Sequence, residues 1–115
     1  MSSYKDMELT VLLEQEALIT RTTQILSALA DVTRFKILMA LADHEHCVSD
    51  LEHLCSVSQS AISHQLRLLK DRDLVKSRKE GQRCCYSLND DHVKQILEQA
   101  LEHASHVSAG IEFKD

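Results

Sequence analysis

Apolar residues recur at helical spacing along the first part of the chain. From Met7 to Leu29 the apolar positions lie on one helical face, which predicts one long helix or two consecutive helices. A second apolar stripe covers Val32–Leu41, and Asp31 stands where its carboxylate can cap the first turn. The first third of the chain is therefore predicted to be helical.

Two further helices are predicted on either side of a tight turn. Ser49 and Glu52 have the spacing of a capping box, which predicts a short helix over about residues 49–54. Ser58 can cap a longer helix that runs to about Asp71. A short helix, a three-residue turn and a longer helix are the arrangement of a helix-turn-helix motif.

After the second of these helices the pattern changes to a period of two, which is typical of strands. Residues 74–79 and 83–88 predict a hairpin whose loop contains Gly81, because glycine readily adopts the positive φ of a tight turn. Successive strand residues point to opposite faces. We expect Cys84 to face the core and Cys85 to be exposed.

A last amphipathic helix is predicted from Asn89 or Asp90 to His106, and the weakly patterned residues beyond it are expected to fray. The predicted fold is mainly α with a small β-hairpin wing, a dimeric winged helix-turn-helix, with residues 1–115 as one domain. No apolar stretch approaches the roughly 20 residues of a membrane span, so no membrane partner is expected. We expect a cytoplasmic protein whose four cysteines are thiols or metal ligands.

Charge is distributed unevenly along the chain. The net charge is −5, but residues 58–88 carry +4 and the remainder carries −9. A basic block in an acidic protein is typical of a surface that contacts phosphates, and the second helix of a helix-turn-helix reads base edges. We predict contacts with double-stranded DNA from Ser58, Gln59, Ser60, Ser63, His64, Gln65, Arg67, Lys70, Lys76, Arg78, Lys79 and Arg83.

Three segments of the chain resemble the ArsR/SmtB metalloregulators. They are LADVTRFKIL at 29–38, SQSAISHQLRLLKDRDLV at 58–75 and GQRCCYSL at 81–88. The resemblance implies a homodimeric winged-helix repressor, not an enzyme, that occupies its operator without metal and releases it when metal binds.

Four potential metal ligands lie at the two ends of the last predicted helix. Asp90 and His92 open the helix, and His103 and His106 close it. Eleven residues separate His92 from His103, about 16 Å along a helix axis, so one chain cannot bring both ends to one ion. Two such helices that lie antiparallel across a dimer axis can place ligands from both chains around one ion. Nitrogen and oxygen ligands suit Zn(II) or Co(II), and the spacing is similar to the C-terminal-helix zinc site of the family's zinc sensors.

Cys47 and Asp50, with His44 or His46, are candidates for a secondary metal site. The resemblance places a Cys-Val-Cys motif here, but Ser49 stands where the second thiolate would be. A soft-metal site is thereby left with too few thiolates.

Two alternatives to a zinc-responsive repressor remain open. A thiol-, redox- or soft-metal-responsive repressor of the same fold would use Cys47, Cys55 or Cys85. A zinc metalloenzyme would use the histidine and aspartate cluster, but a catalytic zinc keeps an open coordination position, whereas the spacing here suits four protein ligands.

Overall fold

The computed structural model describes residues 3–107 and confirms a mainly helical fold with a small antiparallel sheet. Of the two N-terminal arrangements predicted, the structure has the two consecutive helices, preceded by a 3-10 turn at Tyr4–Asp6. The predicted fraying beyond His106 is wrong for Val107, which continues the last helix, and residues 108–115 lie outside the described residues. In chain order the elements are α1 (Leu9–Leu12), α2 (Glu16–Leu29), α3 (Val32–Asp43), β1 (His46–Cys47), α4 (Val48–Cys55), α5 (Gln59–Asp71), β2 (Val75–Glu80), β3 (Arg83–Leu88) and α6 (Asp91–Val107).

Side-chain caps set the starts of α3 and α5 as predicted. The carboxylate of Asp31 accepts a hydrogen bond from the Arg34 amide at 3.0 Å, and the Ser58 hydroxyl accepts one from the Ala61 amide at 3.2 Å. Between α4 and α5, Ser56 adopts the left-handed conformation with φ of 56°. A non-glycine residue therefore makes the turn of the helix-turn-helix.

The start of α4 differs from the prediction. The cap is Cys47 rather than Ser49, and the Cys47 amide donates to Asp50 Oδ2 at 3.2 Å. The predicted box with Glu52 was wrong because Cys47 ends β1 in an extended conformation, so the helix begins at the next residue.

A two-residue strand that the sequence pattern did not predict completes the sheet, whose order is β1-β3-β2. Cys85 lies between Cys47 of β1 and Arg78 of β2, whereas Cys84 has only Lys79 beside it. Cys85 is therefore buried, with 8% of its surface exposed, and Cys84 is half-buried. The prediction for these two cysteines was wrong because it treated β3 as one edge of a two-stranded hairpin.

The core lies between the helix-turn-helix, the sheet and α6. Three apolar residues fix α5 against it, so the opposite face of α5 is exposed. Among the helices of the described chain, none is long and apolar enough to cross a membrane. The largest fully buried side chains are those of Ile37, Leu38, Leu51, Ile62, Leu66, Leu69, Leu74 and Leu97.

A single arginine connects the end of α2 to α5. The Arg34 guanidinium donates from Nε to the Ala28 carbonyl at 2.7 Å and from Nη2 to the Ser27 carbonyl at 3.4 Å. Its Nη1 atom donates to Gln65 Oε1 at 3.2 Å. The carbonyl groups at the C-terminal end of α2 and a side chain of α5 thus share one charged donor group.

Candidate nucleic-acid interface and metal ligands

The exposed face of α5 carries most of the predicted base-reading residues. Gln59 and Ser60 occupy its first turn, and Ser63 and His64 follow on the same exposed surface. Gln65 differs because it is half-buried and its amide oxygen accepts a hydrogen bond from α3. The first two turns of α5 therefore present polar groups that can donate to and accept from base edges.

The basic residues of the wing are not equivalent. Arg78 donates two hydrogen bonds to Glu45, at 2.9 and 2.6 Å, and a third to Glu80 at 3.1 Å. The bond from Arg78 lowers the pKa of the Glu45 carboxyl. Lys76 and Lys79 are exposed in the same strand. The sequence pattern indicated the basic strand but not Glu45, which lies 33 residues away.

At the first residue of β3, Arg83 contacts the start of the helix-turn-helix. Its Nη2 atom donates to Cys47 Sγ at 2.8 Å, and the same sulfur lies 3.0 Å from Asp50 Oδ2 and 3.1 Å from Ser49 Oγ. The bond to Asp50 raises the pKa of the Cys47 thiol, but the bonds with Ser49 and Arg83 outweigh it and the pKa is lowered overall. The predicted pair Cys47 and Asp50 is therefore in contact, but the Cys47 sulfur also accepts a hydrogen bond from Arg83.

The four predicted ligands on α6 stay at its two ends. Asp90 Oδ1 accepts from the Val93 amide at 3.2 Å and lies 3.6 Å from His92 Nδ1. At the other end His106 Nε2 lies 3.0 Å from a glutamate of the same helix, and His103 is exposed. Within residues 3–107 of one chain, these side chains do not gather into a group of three ligands.

A different group of potential ligands does gather, in the link between α3 and α4. It consists of Asp43, His44 and His46. The sequence-based prediction considered the two histidines only as partners of Cys47. The signal that could have found the group is two histidines two residues apart that directly follow an aspartate at a helix end.

Comparison with known proteins agrees with this geometry. The family of bacterial regulatory proteins named arsR matches residues 31–77, which include α3, the helix-turn-helix and the start of β2. The resemblance expected from the three sequence segments is thereby confirmed.

Individual relatives extend the match beyond that segment. A transcriptional repressor SmtB homolog from Synechocystis is 45% identical over 80 residues, covering 70% of this chain but only 61% of its own length. A cadmium resistance transcriptional regulatory protein CadC homolog from Staphylococcus aureus is 42% identical over 87 residues, or 75% and 72% of the two chains.

Among solved structures, the homodimeric winged helix-turn-helix DNA-binding domain Mb0332 from Mycobacterium bovis superimposes with a TM-score of 0.74. It is 25% identical, and the match covers 86% of this chain and 94% of that domain. The chain therefore belongs to the ArsR/SmtB family of bacterial regulatory proteins, which are DNA-binding transcriptional regulators and not enzymes.

Proposed function

We propose that this protein is a cytoplasmic, metal-responsive repressor that binds operator DNA as a homodimer and leaves it when Zn(II) binds. The observation that carries the proposal is the division of Asp90, His92, His103 and His106 between the two ends of α6. Relatives named as a repressor and as a cadmium resistance regulator support a response to metal.

The apolar residues left exposed support a dimer. They are concentrated on the N-terminal helices and on α6, at the two ends of the chain. Exposed apolar residues that lie together mark interaction sites in soluble proteins, and one solved relative with this fold is a homodimer. The set includes Leu9, Val11, Leu13, Leu18, Ile19, Ile96, Leu101 and Val107.

The α6 residues fit a zinc ion in such a dimer. Three exposed imidazoles and a carboxylate provide the nitrogen and oxygen donors of a four-ligand zinc site. Asp90 uses one oxygen to cap α6 and keeps acceptor capacity on the carboxylate for a metal. Asp90 and His92 of each protomer would meet the other end of the partner's helix, which gives two equivalent sites.

Zinc would act by linkage between two conformations of the dimer. The ion favours the arrangement in which the two α6 helices are bridged, and DNA favours the arrangement that places both copies of α5 in the major groove. If Zn(II) weakens operator binding by some factor, the operator must weaken Zn(II) binding by the same factor.

Fluorescence anisotropy with labelled operator DNA, with Zn(II) and with a chelator, tests the proposal. We expect Zn(II) to weaken binding by about 5- to 150-fold, the usual range of allosteric coupling. The expectation fails if Zn(II) leaves the operator affinity unchanged, or if ultracentrifugation shows a monomer at micromolar concentrations.

A thiol-responsive repressor is the second candidate, and the contact between Arg83 and Cys47 favours it. Burial raises the pKa of the Cys55 thiol. Cys47 and Cys85 are both buried, but the pKa of the Cys47 thiol is lowered and its sulfur accepts a hydrogen bond from Arg83, so Cys47 is the thiol to test. Under our proposal Cys47→Ser keeps Zn(II)-dependent release. Under the alternative, peroxide releases the parent chain from DNA and Cys47→Ser abolishes that release.

Lys79→Ala should reduce the salt dependence of DNA binding. The loss of one phosphate contact reduces the slope of log affinity against log salt concentration by about 0.9. Arg78→Ala is the matched comparison on the same strand, and we expect a smaller change in slope because Glu45 and Glu80 already pair with Arg78. Equal changes would show that Arg78 leaves its acidic partners to contact phosphate.

A further inference from the structure

The link between α3 and α4 brings together three potential metal ligands far along the sequence from α6. Asp43 ends α3, His44 follows it, and His46 begins β1. One ligand atom from each residue lies within 4.8 Å of the other two, and the two imidazole centroids are 4.0 Å apart. His44 Nδ1 is 2.6 Å from Asp43 Oδ2. The three side chains therefore converge on one point of the surface.

His46 is the fixed member of this group. It is the one polar or charged residue that is buried among residues 3–107, and the pairing of β1 with β3 places it opposite Tyr86. Its Nδ1 atom is 4.0 Å from Asp50 Oδ2, which is longer than a hydrogen bond. The fold thus holds this imidazole in place while the nearest carboxylate does not bind it, which is the pre-organisation that a metal ligand needs.

The other two members can move to complete a site. Two ligands of a tetrahedral zinc ion, each about 2.0–2.1 Å from the metal, are about 3.4 Å apart. The side chains of His44 and Asp43 are 65% and 75% exposed, so rotation about their side-chain bonds can close the present separation. His46 does not have to leave its buried position.

The surroundings favour a cation and give it access. The C-terminal end of α3, at Asp43, carries the negative end of a helix dipole. Grooves of about 430 and 390 Å³ flank the two histidines, and they are lined among others by Glu45, Asp50 and one cation, Lys36. The lining carboxylates Glu45 and Asp50 each have an arginine within 4.0 Å, so the Asp43 carboxylate is the acidic group that remains for an ion.

We propose that Asp43, His44 and His46 form a second metal site, within one protomer, for Zn(II) or another divalent ion of the same borderline class. Two imidazoles, one carboxylate and solvent suit such an ion. Binding replaces the contact between His44 Nδ1 and Asp43 Oδ2 with bonds from both residues to the metal. Glu45 lies between the two histidines and pairs with Arg78 of the wing, so the ion's charge acts next to a contact of the DNA-binding hairpin.

This site depends neither on α6 nor on dimer formation, and it does not use the Cys47 thiol. The experiment therefore uses the full chain with the substitutions His103→Ala and His106→Ala, prepared without a histidine tag. Zn(II) is titrated against a chromophoric chelator, and we expect one ion per protomer to remain. Adding His44→Ala should weaken that binding by at least about tenfold.

His53→Ala is the matched control, because this exposed imidazole lines the same groove but lies outside the ligand group. Because His46 is buried and its removal threatens folding, its ring nitrogens are followed by NMR in the same background, where they should shift with the first equivalent of Zn(II). Undiminished binding in His44→Ala, an equal loss in His53→Ala, or a His46 signal indifferent to Zn(II) each overturns the proposal.

Discussion

His103→Ala is expected to leave operator binding of the metal-free protein nearly unchanged and to suppress its release by Zn(II). The side chain is exposed near the end of α6, and alanine is the strongest helix former, so the helix should not be weakened. Three ligands would remain in each α6 site. A full on-off switch needs about 5.5 kcal/mol of differential binding, so the loss of one imidazole should leave the repressor on DNA at Zn(II) concentrations that release the parent.

A mixed dimer tests whether each α6 site spans two chains. In a heterodimer of Asp90→Ala with His103→Ala, both lesions fall in one site if Asp90 of one protomer meets His103 of its partner. The other site is then intact and should bind Zn(II) with parental affinity. The count is made in a His44→Ala background, in which the link between α3 and α4 should bind Zn(II) more weakly. Two equally damaged sites would contradict the intersubunit arrangement.

Gln59→Ala is expected to relax operator specificity more than it weakens DNA binding in general. Gln59 is the first residue of α5, and its side chain is exposed beyond the Ser58 cap. A bidentate contact between glutamine and adenine is worth about 1–3 kcal/mol of discrimination. The ratio of operator to random-sequence affinity should therefore fall by about 5- to 150-fold.

Lys76→Ala supplies the comparison for this prediction. Lys76 is exposed on β2, and a phosphate contact from it carries no sequence information. We expect this substitution to weaken operator and random DNA alike, as measured by competition in anisotropy. If Gln59→Ala leaves the ratio of operator to random-sequence affinity unchanged, Gln59 does not read a base.

The helix-turn-helix and wing could be predicted from the sequence because local signals define them. Ser58 caps α5 through a hydrogen bond from an amide only three residues away. The alternation of residues 83–88, together with Gly81, specifies a hairpin. The strand β1 could not be predicted, because two residues carry no period. Its absence from the prediction caused the two errors nearby, at the start of α4 and in the burial of Cys85.

The candidate sites also differ in whether local sequence signals or long-range contacts define them. The pairing of His103 with His106 follows from helical spacing, since residues three apart share a face, whereas Asp90 and His92 were added as the residues that open the helix and match the family's zinc site. The group of Asp43, His44 and His46 depends on how α3 ends and on where β1 pairs, so only the fold reveals it. The pairing of Glu45 with Arg78 is likewise a long-range contact that spacing does not encode.

The side chain of Arg34 links α2 to α5 through hydrogen bonds to both helices. A hydrogen bond from a charged donor contributes about 1.5–3 kcal/mol to stability. The shortest hydrogen bond of Arg34 goes to the Ala28 carbonyl, and another goes to Gln65. The N-terminal helices bear much of the exposed apolar surface. If they rotate and α5 does not move with them, hydrogen bonds of Arg34 must break. In the proposed dimer, a movement at a subunit contact of these helices would therefore reach α5 through the hydrogen bonds of Arg34.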